Sequence, residues 1–163
     1  MHGHSCGHHH GHEADLSLGE RLRQAEALCA GRGARLTSQR RIVLETLISG
    51  RRALGAYDLI EAVSNATGKR IAPITIYRAL DFLREMGLAH RIESRNTFLA
   101  CPAGHGPHAL AAFLICDCCG RVEEADASGL DAEMNRLAAA HRFAPQSRIV
   151  EMAGRCSACN EDQ

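Results

Sequence analysis

The stretch PITIYRALDFLREM, residues 73–86, continues after Gly87 into LAHRIESRNTFLAC, residues 88–101, and this pair of runs decides the fold. In the first run Ile76, Ala79, Leu80 and Leu83 recur at spacings of three and four, the period of a helix with one apolar face. Pro73 suits the first turn, where a backbone N–H has no intrahelical partner to lose. After Gly87 the period drops to two. Ala89–Glu93 and Thr97–Cys101 read as strands about a Ser94-Arg95-Asn96 turn. A helix delivered into a small hairpin is the ending of a winged helix-turn-helix.

Upstream, three further helices are expected. From Asp15 to about Ala30, Leu18, Leu22, Ala25 and Leu28 share a face, with Gly31 and Gly33 as the stop. Thr37 is placed to cap a second helix, with Ile42, Val43, Leu47 and Ile48 inward and Gly50 at its end. A third runs from about Ala56 to Thr67, with Leu59, Ile60 and Val63 inward and Gly68 as its stop. Residues 15–101 therefore read as a winged-helix DNA-binding domain. The open face of the 73–86 helix carries Arg78 and Asp81, flanked by Thr75 and Tyr77. An arginine there can fork onto guanine or phosphate, with Arg40, Arg41, Arg51, Arg52, Lys69 and Arg70 as positioning charges.

Downstream, residues 102–108 are rich in Gly, Pro and His and read as a hinge. Residues 109–163 alternate strand and helix: Ala111–Cys116, Val122–Ala127, a helix capped by Ser128 with Asp131, and Arg148–Met152. Leu130, Met134, Leu137 and Ala138 form the apolar face of that helix. The whole is an α+β chain, a winged helix-turn-helix followed by a small α/β dimerisation and metal-binding domain. A lobe this small needs a staple.

Cys116–Cys119 and Cys156–Cys159 supply it. Each Cys-x-x-Cys pair offers two thiolates from one tight turn, and four thiolates close the tetrahedral shell of a structural zinc. Cys118 and Cys29 are left as small packing residues. A second set of donors straddles the hinge: His90, Cys101, His105, His108, Glu123 and Glu124. Mixed nitrogen, sulfur and oxygen donors suit Zn2+ better than Mg2+ or Mn2+, which prefer oxygen.

The totals agree. The chain has 163 residues and eight cysteines, no Trp and 4% aromatics, so its cores are aliphatic. No apolar run is long enough to span a bilayer or to act as a signal peptide, so the expected location is cytoplasmic, with no membrane partner. In a reducing compartment the cysteines argue for metal over disulfides. Net charge is zero, yet residues 35–95 hold 11 Arg/Lys against 6 Asp/Glu, and residues 96–163 hold 5 against 9. One half is suited to an anion, the other to a cation. Residues 1–14 begin MHGHSCGHHHGH, too polar to bury a core; disorder is expected there, with ligands for a loosely held metal.

RLTSQRRIVL (residues 35–44), AYDL (56–59) and PITIYRAL (73–80), with the two cysteine pairs, resemble the ferric uptake regulator (Fur) family over residues 15–160. YRALDFL (77–83) and ICDCCG (115–120) look most like its zinc uptake regulator branch. The resemblance implies a homodimeric repressor of zinc-uptake genes, with no small-molecule substrate, that binds palindromic operator DNA when zinc-loaded. It implies two Zn2+ per subunit: a structural ion on Cys116, Cys119, Cys156 and Cys159, and a regulatory ion on His90, Cys101, His108 and Glu124. It puts base contacts on Tyr57 and Arg78. The iron-sensing branch has a His-rich run before the first cysteine pair; here residues 109–115 are ALAAFLI, which ligate nothing. Two alternatives stay open, a relative that responds to iron, nickel or manganese, and a small zinc hydrolase.

Overall fold

The computed structural model describes residues 16–50, 52–101, 110–146 and 148–160. The His-rich segment, Arg51 and the 102–108 hinge, with His105 and His108, lie outside the described residues.

Helix α1 spans Leu18–Gly31. It begins later than the periodicity suggested because Ser17 and Glu20 form a capping box: the Ser17 hydroxyl accepts from the Glu20 amide at 3.3 Å, and the Glu20 carboxylate accepts from the Ser17 amide at 2.8 Å. Helix α2, Ser38–Gly50, starts just after Thr37, whose carbonyl accepts from Arg41 N at 2.8 Å. Its inward face is Val43, Leu44 and Leu47, with Ile42 and Ile48 only partly buried, so the expected face is rotated toward Leu44. In α3, Ala56–Thr67, Leu59 and Val63 are buried as expected, but Ala56 takes the place given to Ile60. Gly68 ends it in the left-handed region, φ 64°. Helix α4, Pro73–Glu85, buries Ile76, Ala79, Leu80 and Leu83 as expected, and Phe82 besides.

These helices close one aliphatic core, in which Leu44, Leu47, Leu59, Ile76, Leu80 and Leu83 are almost wholly removed from solvent. Each such side chain contributes about 1.5–3 kcal/mol of transfer free energy. The hairpin follows: β2, Ala89–Ile92, pairs antiparallel with β3, Thr97–Ala100, around a turn in which Asn96 takes φ 50°. A two-residue strand not expected from the sequence, β1 (Leu54–Gly55), adds to β3 with Leu54 opposite Phe98. The helices and this wing together make a winged helix-turn-helix lobe.

The second lobe is a sheet of order β5-β4-β6: β4 (Ala111–Cys116), β5 (Val122–Ala125) and β6 (Ile149–Gly154). Strand β4 is antiparallel to β5 and parallel to β6, and a parallel pair requires a crossover, here α5 (Ser128–Ala140). A single turn, α6 (Ser157–Asn160), follows β6. Two expectations are corrected. Ser128 lies inside the helix and does not cap it; the Asp126 carboxylate accepts from its amide at 2.9 Å and its hydroxyl at 3.1 Å. The apolar face of α5 is not buried in the chain, and Leu130 and Leu137 are exposed. Among the described residues no helix is long and apolar enough to cross a membrane.

Candidate metal centres and nucleic-acid surface

The parallel pairing of β4 with β6 sets Cys116 opposite Gly154, so both cysteine pairs leave the same end of the sheet. Each turns back on itself: Gly120 N donates to Cys116 O, and Cys159 N to Cys156 O, both at 3.0 Å. The sulfurs of Cys116, Cys119, Cys156 and Cys159 lie within 4.8 Å of one another. Cys119 and Cys156 Sγ are 3.7 Å apart. A zinc with Zn–S bonds of about 2.3 Å has a tetrahedral edge of about 3.8 Å, so the four residues fit that ion.

The electrostatics are those of a thiolate seat. The amides of Cys119 and Cys156 aimed at the Cys116 sulfur lower its pKa to about 6. Cys159 is pushed the other way by hydrogen bonds with Cys156, Cys118 and Cys119. Cys116 thus carries charge while Cys159 holds a proton that a cation displaces. Cys29 is buried as expected, but Cys118 is exposed beside the cluster and does not pack.

A second cluster joins the lobes. His90 on β2, Cys101 just beyond β3 and Glu124 on β5 bring their donor atoms within 4.8 Å of one another. His90 Nε2 stands 3.9 Å from Glu124 Oε1, and the His90 ring packs edge-on against Phe113, centroids 5.3 Å apart. Strand phase separates the two acids: the Glu124 side chain is 15% exposed, whereas Glu123 points outward, 59% exposed, and pairs with Arg121. Nitrogen, sulfur and oxygen donors at this spacing suit a tetrahedral zinc that takes one further ligand.

The start of α4 and the start of α3 share the remaining chemistry. Tyr57 is 83% exposed, and Ile74, Tyr77 and Arg78 are exposed, with Thr75 half-buried among them. Ile74, an apolar residue on an otherwise polar face, was not singled out by periodicity. Arg40 and Arg41 have intramolecular partners. The Arg40 guanidinium lies 3.5 Å over the Phe82 ring and donates to Arg35 O, and Arg41 pairs with Glu26.

A profile of the ferric uptake regulator family matches residues 31–153. The chain belongs to this family. As a family member it is 42% identical over 142 residues to the zinc uptake regulation protein of Escherichia coli (strain K12), covering 87% of this chain and 82% of that one. It superposes with a TM-score of 0.84 on a zinc uptake regulator solved with zinc and DNA, at 41% identity, covering 90% of this chain and 97% of that one. The holo crystal structure of XcZur aligns at 37% identity with a TM-score of 0.77, covering 86% and 96% of the two chains. The apo structure of XcZur, at 36% identity and coverage of 88% and 97%, gives only 0.50. At nearly the same identity, the chain superposes more closely on the holo structure than on the apo one.

Proposed function

We propose that this chain is a zinc-responsive transcriptional repressor. Zinc-loaded, it binds palindromic operator DNA as a homodimer and shuts off zinc-uptake genes in the cytoplasm. The observation that carries the reading is the cluster of His90, Cys101 and Glu124, drawn from both lobes. His108, from the hinge segment, is the proposed fourth ligand. The four-cysteine cluster is the second, structural site, giving two zinc ions per subunit.

Zinc bound at the inter-lobe site supplies one thing: coordination bonds that fix the angle between the lobes. The chain's own residues do the rest. In a dimer that angle sets the spacing of the two α4 helices, which must match half-sites one helical turn or a multiple apart. Tyr57 and Arg78 read bases, while Thr75 and Tyr77 flank them. Arg40 and Arg41 hold α2 against α4 and α1 and lend positive potential to the same side. The exposed apolar residues of α5, with Phe143, are the proposed dimer face. The domains divide as residues 15–101, the hinge 102–108, and residues 109–163.

A hydrolase would need an open metal position, whereas His90, Cys101 and Glu124 leave little surface for a substrate. The test is binding of a duplex, selected by the zinc-loaded protein from random sequence, titrated against free Zn2+, Fe2+, Ni2+ and Mn2+. Zinc should activate binding at the lowest free concentration. Activation by iron, nickel or manganese alone would replace this reading.

A further inference from the structure

The lobes also touch two strands away from the donor cluster. His90 and Cys101 stand at the open end of the β2–β3 hairpin; its tip, residues 93–96, reaches the opposite, β6 edge of the second sheet, where Glu151 and, on β5, Glu124 flank the same β4 residue, Phe113. There the Glu151 carboxylate on β6 accepts from two consecutive amides, Glu93 N at 2.6 Å and Ser94 N at 3.1 Å. Two adjacent N–H groups aimed at one carboxylate form a built anion seat, with charge-assisted bonds on both oxygens. The next residue, Arg95, donates to Cys116 O at 3.1 Å and to the Asp117 carboxylate at 3.0 Å, across the first cysteine turn. Between tip and open end lies a dry contact of Ile92 with Ala111, Phe113 and Ile115.

We propose that Glu151, with Arg95 as its weaker companion, is a metal-independent latch that holds the wing on the second lobe and thereby sets the zinc concentration at which the protein engages DNA. The proposal rests on the repressor reading above. Neither residue belongs to either donor cluster. One ion fixes the interface at the open end of the hairpin and leaves rotation about that point; the latch fixes the tip. It also diverts Arg95, whose place on a wing would otherwise suit a phosphate, onto a backbone carbonyl and a carboxylate.

The ranking of the two follows from exposure. Arg95–Asp117 is a largely exposed pair, a class worth little alone. The amide seat of Glu151 is the stronger half. If the latch raises the fraction of chains in the closed pose, the apparent zinc affinity rises by the same factor, since binding selects that pose.

The experiment uses the full chain with its four-cysteine zinc in place. Zinc affinity of the second site is measured by chelator competition for wild type, E151Q, R95A and R95K. Melting and retained structural zinc serve as folding checks. E151Q should weaken zinc binding roughly 5- to 30-fold, R95A less, and R95K should recover part of the R95A loss. Binding to the selected duplex at saturating zinc should keep its salt dependence. Unchanged zinc affinity in both E151Q and R95A overturns the latch. So does a salt slope lowered by about one phosphate contact in R95A, which would make Arg95 a DNA contact. Because zinc affinity is read without DNA, a wild type that binds zinc but gains no DNA affinity would sink the repressor reading while the latch is still tested.

Discussion

Arg78 stands exposed on the open face of α4, opposite the buried Ile76, Ala79, Leu80 and Leu83. Replacing Arg78 by Ala should cost about 1–3 kcal/mol of operator affinity and relax preference at one base pair, read by binding to single-site variants. The cysteines divide sharply. Cys101→Ser should lower zinc-dependent DNA affinity by roughly two orders of magnitude while the four-cysteine ion stays bound, measured by anisotropy and metal content. Cys119→Ser should instead yield an unfolded or monomeric chain, visible by circular dichroism and sedimentation, because structural zinc sites supply folding free energy. Cys116 marks the acid limit of the structural site: the Cys119 and Cys156 amides lower its pKa from 9.0 to about 6, so it stays a thiolate down to that pH and zinc retention should fall as pH drops through 6. Metal content after dialysis across that window should show the decline. Donor types made these residues legible in the sequence, but the choice between Glu123 and Glu124 was not legible from spacing. It depends on which face of β5 each takes, and the register with β4 fixes that: Phe113 opposite Glu124 and Leu114 opposite Glu123.

Helix α4 was readable because Ile76, Ala79, Leu80 and Leu83 fall on one face and all four are buried. Helix α5 carries an equally regular apolar face, yet none of its residues is buried in the single chain. Periodicity reports that a face wants cover and is silent on whether the cover comes from the same chain. That makes α5 the element on which the dimer is tested. Leu137→Lys should shift the protein toward monomer in sedimentation velocity and weaken binding to a two-half-site duplex far more than to a single half-site. Other elements were unreadable for local reasons. Strand β1 is two residues long and exists only because Leu54 pairs with Phe98, more than forty positions away. The start of α5 was misplaced because Asp126, outside the helix, takes the bonds assigned to Ser128. In α2 the inward residue Leu44 follows two β-branched residues, Ile42 and Val43, that share the same apolar signal. Leu44→Ala should cost about 2–5 kcal/mol in urea unfolding, whereas Ile48→Ala, only partly buried, should cost less.

At the scale of the molecule, the parts are a winged lobe with a deep aliphatic core and a thin second lobe that leans on it. The inter-lobe contacts join residues far apart in the chain, Glu151 to Ser94 across 57 positions and Arg95 to Asp117 across 22, so no local pattern announces them. The parallel pairing of β4 and β6 has a consequence for how the protein is made. Synthesis runs from one cysteine pair to the other, and the second pair emerges only after β5, the crossover helix and β6. Parallel strands with an intervening crossover are slow, non-local contacts. A ribosome-bound chain can therefore complete its reader of DNA long before it can hold its structural ion. Until the last strand docks, the half-built cysteine turn stands open to any thiophilic metal in the cell, so fidelity of metal loading is settled by the order in which the polypeptide appears.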